Sequence, residues 1–171
     1  MEIKYSILIP TMNGAKYLMH AVNSVLTNSN NNFELVVSIN HSKDNTEQLL
    51  KDIEDPRIRI IRPKEKLSMA AHYEWCINNA QGEWLTILGD DDGIMPDFFS
   101  YCDYLTNKWK NVRAISFRRA YFFWPDSEDV FGNTILHYVK NSKEKFRSSK
   151  IDLLFVLAGL KEHYDLPQLY T

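Results

Sequence analysis

The sequence predicts an α/β domain built on a mostly parallel central sheet, and three observations carry that prediction. Four short apolar, β-prone runs recur along the first ninety residues or so, each closed by turn-forming residues. Segments whose apolar positions follow helical spacing separate them. Strands joined through helices need crossover connections, which are right-handed and give a largely parallel sheet. In such a sheet, ligands gather beyond the carboxyl ends of the strands.

Tyr5-Ser6-Ile7-Leu8-Ile9-Pro10 is the first buried-strand run, followed by the turn residues Thr11, Asn13 and Gly14. From Ala15 onward, Leu18, Met19, Val22, Val25 and Leu26 share one helix face. Phe33 to Ile39 makes a second strand after the polar break 28–32. The turn 40–45 leads to a helix with Leu49, Leu50 and Ile53 on one side, and Asn45 is its candidate cap, with Gln48 three residues on. Arg57 to Arg62 forms a third strand, stopped by Pro63, and Ser68 is placed to cap a helix that runs to Ala80. Trp84 to Leu88 is the fourth strand. Beyond it, Phe98 to Trp109 is expected to be helical, Val112 to Arg118 a strand and Lys150 to Leu160 an apolar-faced helix.

The fourth run ends in Gly89-Asp90-Asp91-Asp92-Gly93, with Pro96 suited to open the next helix. Adjacent carboxylates at a buried strand's end repel one another and lose hydration, and a hard divalent cation relieves both costs. An exposed acidic turn is the competing reading, since Asp and Gly favour turns. Pro10-Thr11, Asn40-His41 and Asp90-Asp91-Asp92 all fall at strand carboxyl ends, and this convergence favours a site over a turn.

Composition narrows the function further. Twenty Lys and Arg against 22 Asp and Glu leave a net charge of −2, which argues against a broad nucleic-acid-binding surface but not against a single nucleotide. Cys76 and Cys102 are too few and too far apart for a disulfide framework or a zinc site, and read as reduced thiols of a cytoplasmic protein. No apolar run approaches the roughly 20 residues that cross a bilayer, and the amino-terminal residues lack a signal-peptide profile.

An ordered set of motifs then resembles the family 2 glycosyltransferases. Ile7-Leu8-Ile9-Pro10-Thr11-Met12-Asn13 is similar to that family's opening strand and turn, and Glu34 to Thr46 to its second strand and Asn-x-Ser-x-Asp-Asn-Thr tail. Ala80-Gln81-Gly82-Glu83-Trp84 through Asp92, with Met95-Pro96, is similar to its run into an acidic metal motif. The resemblance covers roughly the first 100 of 171 residues. It implies the GT-A fold, a Rossmann-like three-layer sandwich with a mostly parallel central sheet, as one domain over 1–171. Residues 1–100 would be the nucleotide-sugar-binding half and 101–171 a partial acceptor-side half. It further implies transfer of a sugar from a metal-bound nucleotide diphosphate sugar, UDP-linked by preference, to a glycan or lipid-linked acceptor, with inversion, in polysaccharide biosynthesis. The setting would be the cytoplasm, with peripheral association at the inner membrane face allowed.

By the same resemblance Pro10, Thr11, Asn13, Asn40 and Asp91 would bind the nucleotide. Asp92, assisted by Asp91, would hold Mn²⁺ or Mg²⁺ on the diphosphate, and Asp90, at the family's variable position, would be local structure. Ile39 stands where the family commonly has a base-binding Asp, Gly89 where many members have the first acidic residue, and His72 where relatives often have Asn. No catalytic base is assigned: Asp126, Glu128, Asp129 and Asp165 are weak candidates. The chain ends where more acceptor-binding structure is expected, so the sequence is read as a fragment with the base beyond it. The aromatic run Tyr121-Phe122-Phe123-Trp124 could stack a sugar, with core packing as the alternative. Arg62 and Lys64 could meet a diphosphate, with surface charge an equal alternative; His41 could approach a phosphate but is read first as an ordinary turn residue, and His72 as a satisfied helix residue. Two rivals stand beside the transferase: a non-catalytic nucleotide-sugar-binding module, and a nucleotidyltransferase. The second is disfavoured because Thr11-Met12-Asn13-Gly14 has one Gly and no basic residue to cradle a triphosphate.

Overall fold

The computed structural model describes residues 2–115 and 117. The chain divides into two compact units, one of Met1–Leu105 and one chiefly of Thr106–Leu169. Four strands and four helices occur among the described residues, in the order β1 (Tyr5–Thr11), α1 (Leu18–Leu26), β2 (Phe33–Ile39), α2 (Thr46–Leu50), β3 (Ile58–Ile61), α3 (Met69–Asn78), β4 (Trp84–Ile87) and α4 (Phe98–Lys108). The strands form one sheet in the order β3-β2-β1-β4, and every pairing is parallel. The expected α/β class and parallel sheet are what the structure has.

Alternation along the two central strands gives the sheet its two faces. Tyr5, Ile7 and Ile9 of β1 and Phe33, Leu35, Val37 and Ile39 of β2 pack with α1, with Leu50 of α2 and with Phe99 and Cys102 of α4. Leu8 and Val36 point the other way and pack against Cys76 of α3. The result is three layers, with the core divided across the sheet. Within the larger core Phe33 stacks on Phe99 at 4.7 Å between ring centroids. Both cysteines are free and buried. Burial, followed by the neighbouring Asp103 charge, pushes the Cys102 thiol up to about 12.

The α3 face of the sheet carries the polar residues that the apolar pattern skips. Glu34 is almost fully buried, and accepts from Ser6 Oγ and Gln81 N, both at 2.6 Å, and from Arg59 at 2.9 and 3.2 Å. Ser6 Oγ in turn accepts from Gly82 N at 2.8 Å, and Gly82 has no room for a Cβ, which would lie 2.7 Å from Ser6 N. This network fixes the turn into β4, so Glu34 acts as a buried carboxylate with every neighbour satisfied.

Element boundaries differ from expectation where local turns intervene. The helix expected from Ala15 begins at Leu18, because residues 14–17 close a turn in which Tyr17 N and Leu18 N donate to the Gly14 carbonyl. Asn45 flanks α2 but makes no side-chain cap; the neighbouring Asp44 accepts from Thr46 N at 3.1 Å instead. Ser68 does cap α3, accepting from Ala71 N. Residues 112–115 of the expected strand Val112–Arg118 are not in a strand. The helix Lys150–Leu160, the aromatic run 121–124 and the carboxylates Asp126, Glu128, Asp129 and Asp165 lie outside the described residues, as does much of the expected acceptor-side half.

Arg57, just before β3, gathers the loop ends on that side of the sheet. It bonds Asp55 in a fork, donates to the carbonyls of Leu26, Asn28 and Asn30, and lies 4.8 Å from the Phe33 ring centroid. The bond from Arg57 is the largest influence on the Asp55 carboxyl and, against the opposing effect of burial, holds it below the usual carboxylate range. Such a group adds stability above its unfolded pKa of about 3.9 and loses it as pH falls through the lower folded value. Urea melts at a series of pH values are expected to show wild type most favoured over Asp55→Asn above about pH 5, with the difference shrinking below about pH 4.

Candidate functional site

Strand order determines where a site can form. The chain leaves β1 for β2 and β3 on one side, then returns to place β4 on the other, so the crevice between β1 and β4 is the topological switch point. Thr11 ends β1 there, and Leu88 N–H still donates to the Leu8 carbonyl at 2.8 Å before the acidic loop departs.

The three carboxylates of that loop are in different surroundings. Asp90 is half-buried, and its Oδ2 accepts from Thr11 Oγ1 at 2.5 Å. Burial pushes its carboxyl up, as do the Asp91 and Asp44 charges, and the Thr11 bond only partly offsets them. Asp91 and Asp92 are exposed. They converge on the bare face of Gly89: a Cβ there would lie 2.7 Å from Asp92 Oδ2 and 2.9 Å from Asp91 Oδ1. Two carboxylate oxygens gathered on one side of a glycine fit a hard cation that draws its other ligands from phosphate and water. Among the described residues no set of three or more acidic, His or Cys side chains forms a protein-only metal cage.

Side-chain hydrogen bonds tie the neighbouring strand-end loops together. Asn13 N donates to Ser42 Oγ at 2.9 Å, and Asn13 Oδ1 accepts from Lys43 N at 2.7 Å. Asp44 Oδ2 accepts from Ala15 N at 3.0 Å. Burial raises the Asp44 carboxyl, but the bonds from Thr46 and Ala15 outweigh that and hold it below the usual range. Asn40 N donates to the Thr11 carbonyl at 2.9 Å, while its side-chain amide both donates to and accepts from the Leu67 backbone, at 2.9 Å each way. Leu67 lines an open cleft of about 450 Å³ with Pro63, Lys64, Glu65 and Trp75; none of Thr11, Asp90, Asp91 or Asp92 lines it.

Thus the structure brings Pro10, Thr11, Asn13, Asn40, Asp91 and Asp92 to one edge, with different freedoms. Asn40 is buried and its amide is committed to Leu67; Ile39, beside it, belongs to the apolar core. His72 is buried, with Nε2 2.8 Å from Ser38 Oγ, and burial lowers its pKa. Arg62 pairs with Glu47 on the surface at 2.7 Å. Gly14, Ser42, Lys43, Asp44 and Leu67 were given no part in the site from sequence, yet they hold it together. The Asp44-x-Thr46 spacing, which suits an Asx turn, was the available signal for one of them.

The fold is that of the GT-A glycosyltransferases. The crystal structure of S. aureus TarS 1-349 superposes with a TM-score of 0.59 at 19% identity, over 70% of this chain and 41% of that one. TarS 1-349 in complex with UDP-GlcNAc gives 0.58, over 68% and 39%. The chain belongs to glycosyl transferase family 2, whose profile matches residues 6–154, well past the hundred residues that carry the visible motifs. It is 31% identical over 157 residues to an uncharacterized glycosyltransferase of Rickettsia conorii, covering 91% of this chain. It is 26% identical over 129 residues to glycosyltransferase GlyA of Streptococcus pneumoniae, covering 75%. The chain spans about a quarter of the Rickettsia protein's length and less than a fifth of GlyA's.

Two non-glycine residues in this edge hold left-handed backbone, Asn13 at φ 62° and His41 at φ 52°. That conformation costs an ordinary residue about 1–2 kcal/mol, and glycine escapes it at an entropic cost of about 0.5–1 kcal/mol. His41 is exposed, and no described hydrogen bond uses its ring. His41→Gly is therefore expected to raise stability by about 0.5–1 kcal/mol in chemical denaturation.

Proposed function

We propose that this chain carries the donor half of a glycosyltransferase that moves a sugar from a metal-bound nucleotide diphosphate sugar, UDP-linked by preference, to a hydroxyl of a glycan or lipid-linked acceptor, with inversion at the anomeric carbon. The observation that carries the reading is the convergence of Asp91 Oδ1 and Asp92 Oδ2 on Gly89 at the switch point between β1 and β4. Membership of glycosyl transferase family 2 and the likeness to TarS, whose structures include complexes with UDP-GlcNAc and UDP, support the donor class.

Each residue has a role in this reading. Asp92, assisted by Asp91, would hold Mn²⁺ or Mg²⁺, whose contribution is to offset the charge that develops on the departing diphosphate. Thr11 and the backbone at Pro10 flank the nucleotide, and Asn13 shapes the loop beneath it. Asn40 enters through the loop it pins, since both ends of its amide are taken by Leu67. Residues 1–100 would form the donor half of one domain over 1–171, with 101–171 beginning the acceptor side. Polysaccharide biosynthesis in the cytoplasm, at the inner face of the membrane, is the setting that suits a lipid-linked acceptor. No helix among the described residues is long and apolar enough to cross a membrane.

Calorimetric titration of the chain with UDP, GDP and CDP, each with and without Mn²⁺, tests the proposal. Binding of at least one nucleotide is expected to strengthen with Mn²⁺, and Asp92→Ala to abolish that enhancement while leaving the melting temperature within a few degrees. Absence of any nucleotide response would defeat it. Gly89→Ala provides a second check: its Cβ would displace the tips of two exposed side chains, not the backbone, so the fold should persist. The Mn²⁺ enhancement is expected to fall by about tenfold or more, as a ligand displacement of roughly 1 Å costs at least the equivalent of one charged contact.

A further inference from the structure

We infer that Asp90 is a positioning residue: its carboxylate, held by the Thr11 hydroxyl over Gly14, anchors the acidic loop to β1 so that Asp91 and Asp92 present their oxygens together above Gly89. The three carboxylates are consecutive in sequence, yet the structure divides them. Asp90 turns inward and takes the hydroxyl hydrogen bond of a residue 79 positions earlier in the chain. Asp91 and Asp92 stay exposed and gather beside the bare face of Gly89.

Gly14 makes the contact possible. A Cβ at Gly14 would collide with both Asp90 Oδ2 and Thr11 Oγ1, so the hydroxyl–carboxylate pair rests directly on the Gly14 backbone. Thr11 is itself buried at the end of β1, and its carbonyl accepts from Asn40 N. The hydroxyl is thereby attached to the end of a central strand. The acidic loop is also held by the Asp92 N–H bond to the Gly89 carbonyl at 3.1 Å and the Ile94 N–H bond to Ser24 Oγ at 3.1 Å. Asp44 holds the other end of the loop that follows β1, through Ala15 N. Carboxylates thus bracket residues 11–15 from both sides. An asparagine would keep the acceptor for the Thr11 hydroxyl.

The test separates positioning from ligation, and is made on the 171-residue chain. The first readout needs no nucleotide: the hydrogen-exchange rate of the Asp92 amide. Thr11→Val and Asp90→Ala are each expected to raise it by about tenfold, the equivalent of one charge-assisted hydrogen bond. The double variant should be no faster than the quicker single one, while Thr11→Ser and Asp90→Asn stay within about threefold of wild type. The second readout, which rests on the glycosyltransferase reading, is UDP affinity with Mn²⁺, expected to follow the same pattern. The inference is overturned if Thr11→Val leaves the Asp92 amide unchanged, if the single effects add in the double variant, or if Asp90→Asn is as damaging as Asp90→Ala. A wild-type chain that binds no nucleotide would defeat the functional reading, and the exchange rates would still decide the role of Asp90.

Discussion

The structure depends on the central place of β1. It lies between β2, its parallel partner along Tyr5–Thr11, and β4, its parallel partner along Tyr5–Leu8. Its first four residues are paired on both sides, and past Leu8 the β4 side is tied by side chains, as in the Thr11 bond to Asp90. Thr11 therefore has both its carbonyl and its hydroxyl in use, one accepting from the β2 side and one donating to the β4 side. The edge is tied in strand order: Asp90 to Thr11, Asn13 and Ala15 to residues 42–44, and Asn40 to Leu67. Four loops that would each cost backbone entropy to order are held by one another.

This lacing also explains how a chain can hold carboxylates side by side. Adjacent carboxylates in a partly buried loop repel one another, and at separations near 4 Å in a surface-like medium the repulsion is a few kcal/mol at most. The structure relieves it by separation of function. One carboxylate is bonded to a hydroxyl, which is worth about 1.5–3 kcal/mol for a charged partner, and the other two are exposed. The same arrangement recurs at Asp44, a carboxylate whose bonds to Thr46 and Ala15 outweigh burial.

What could be read from the sequence follows from the range of the interactions involved. The limits of β2 were legible to the residue and those of β1, β3 and β4 to within one, because a buried strand is an uninterrupted apolar run with turn residues behind it. The first turn of α1 was misjudged because Gly14 to Tyr17 close a turn whose hydrogen bonds leave no mark on apolar spacing. Asn45 and Asp44 are equally good caps on paper, and the choice between them depends on where the Ala15 amide comes to rest. Thr11 with Asp90, and Asn40 with Leu67, lie 79 and 27 residues apart. Each residue has an obvious individual signal, but nothing local says that its hydrogen-bonding capacity is already used. The family motifs located the edge correctly while leaving the division of labour within it to the fold.

That division alters what the departures from the family pattern mean. Ile39, in place of a base-binding acid, is a core residue packed with α1 and α2, and an acid there would bury a charge among apolar side chains. The substitution is thus tied to packing as much as to any ligand. Asn40 beside it does not compensate by facing outward; it spends its amide on the loop that leads into α3. On the proposed reading, recognition on the β2 side would be left to backbone groups and to side chains that Asn40 positions, whereas on the β4 side it would fall to Asp91 and Asp92. The charged end of a nucleotide would meet exposed side chains and its base would meet a pinned loop, so affinity should depend more on the cation and diphosphate than on the identity of the base.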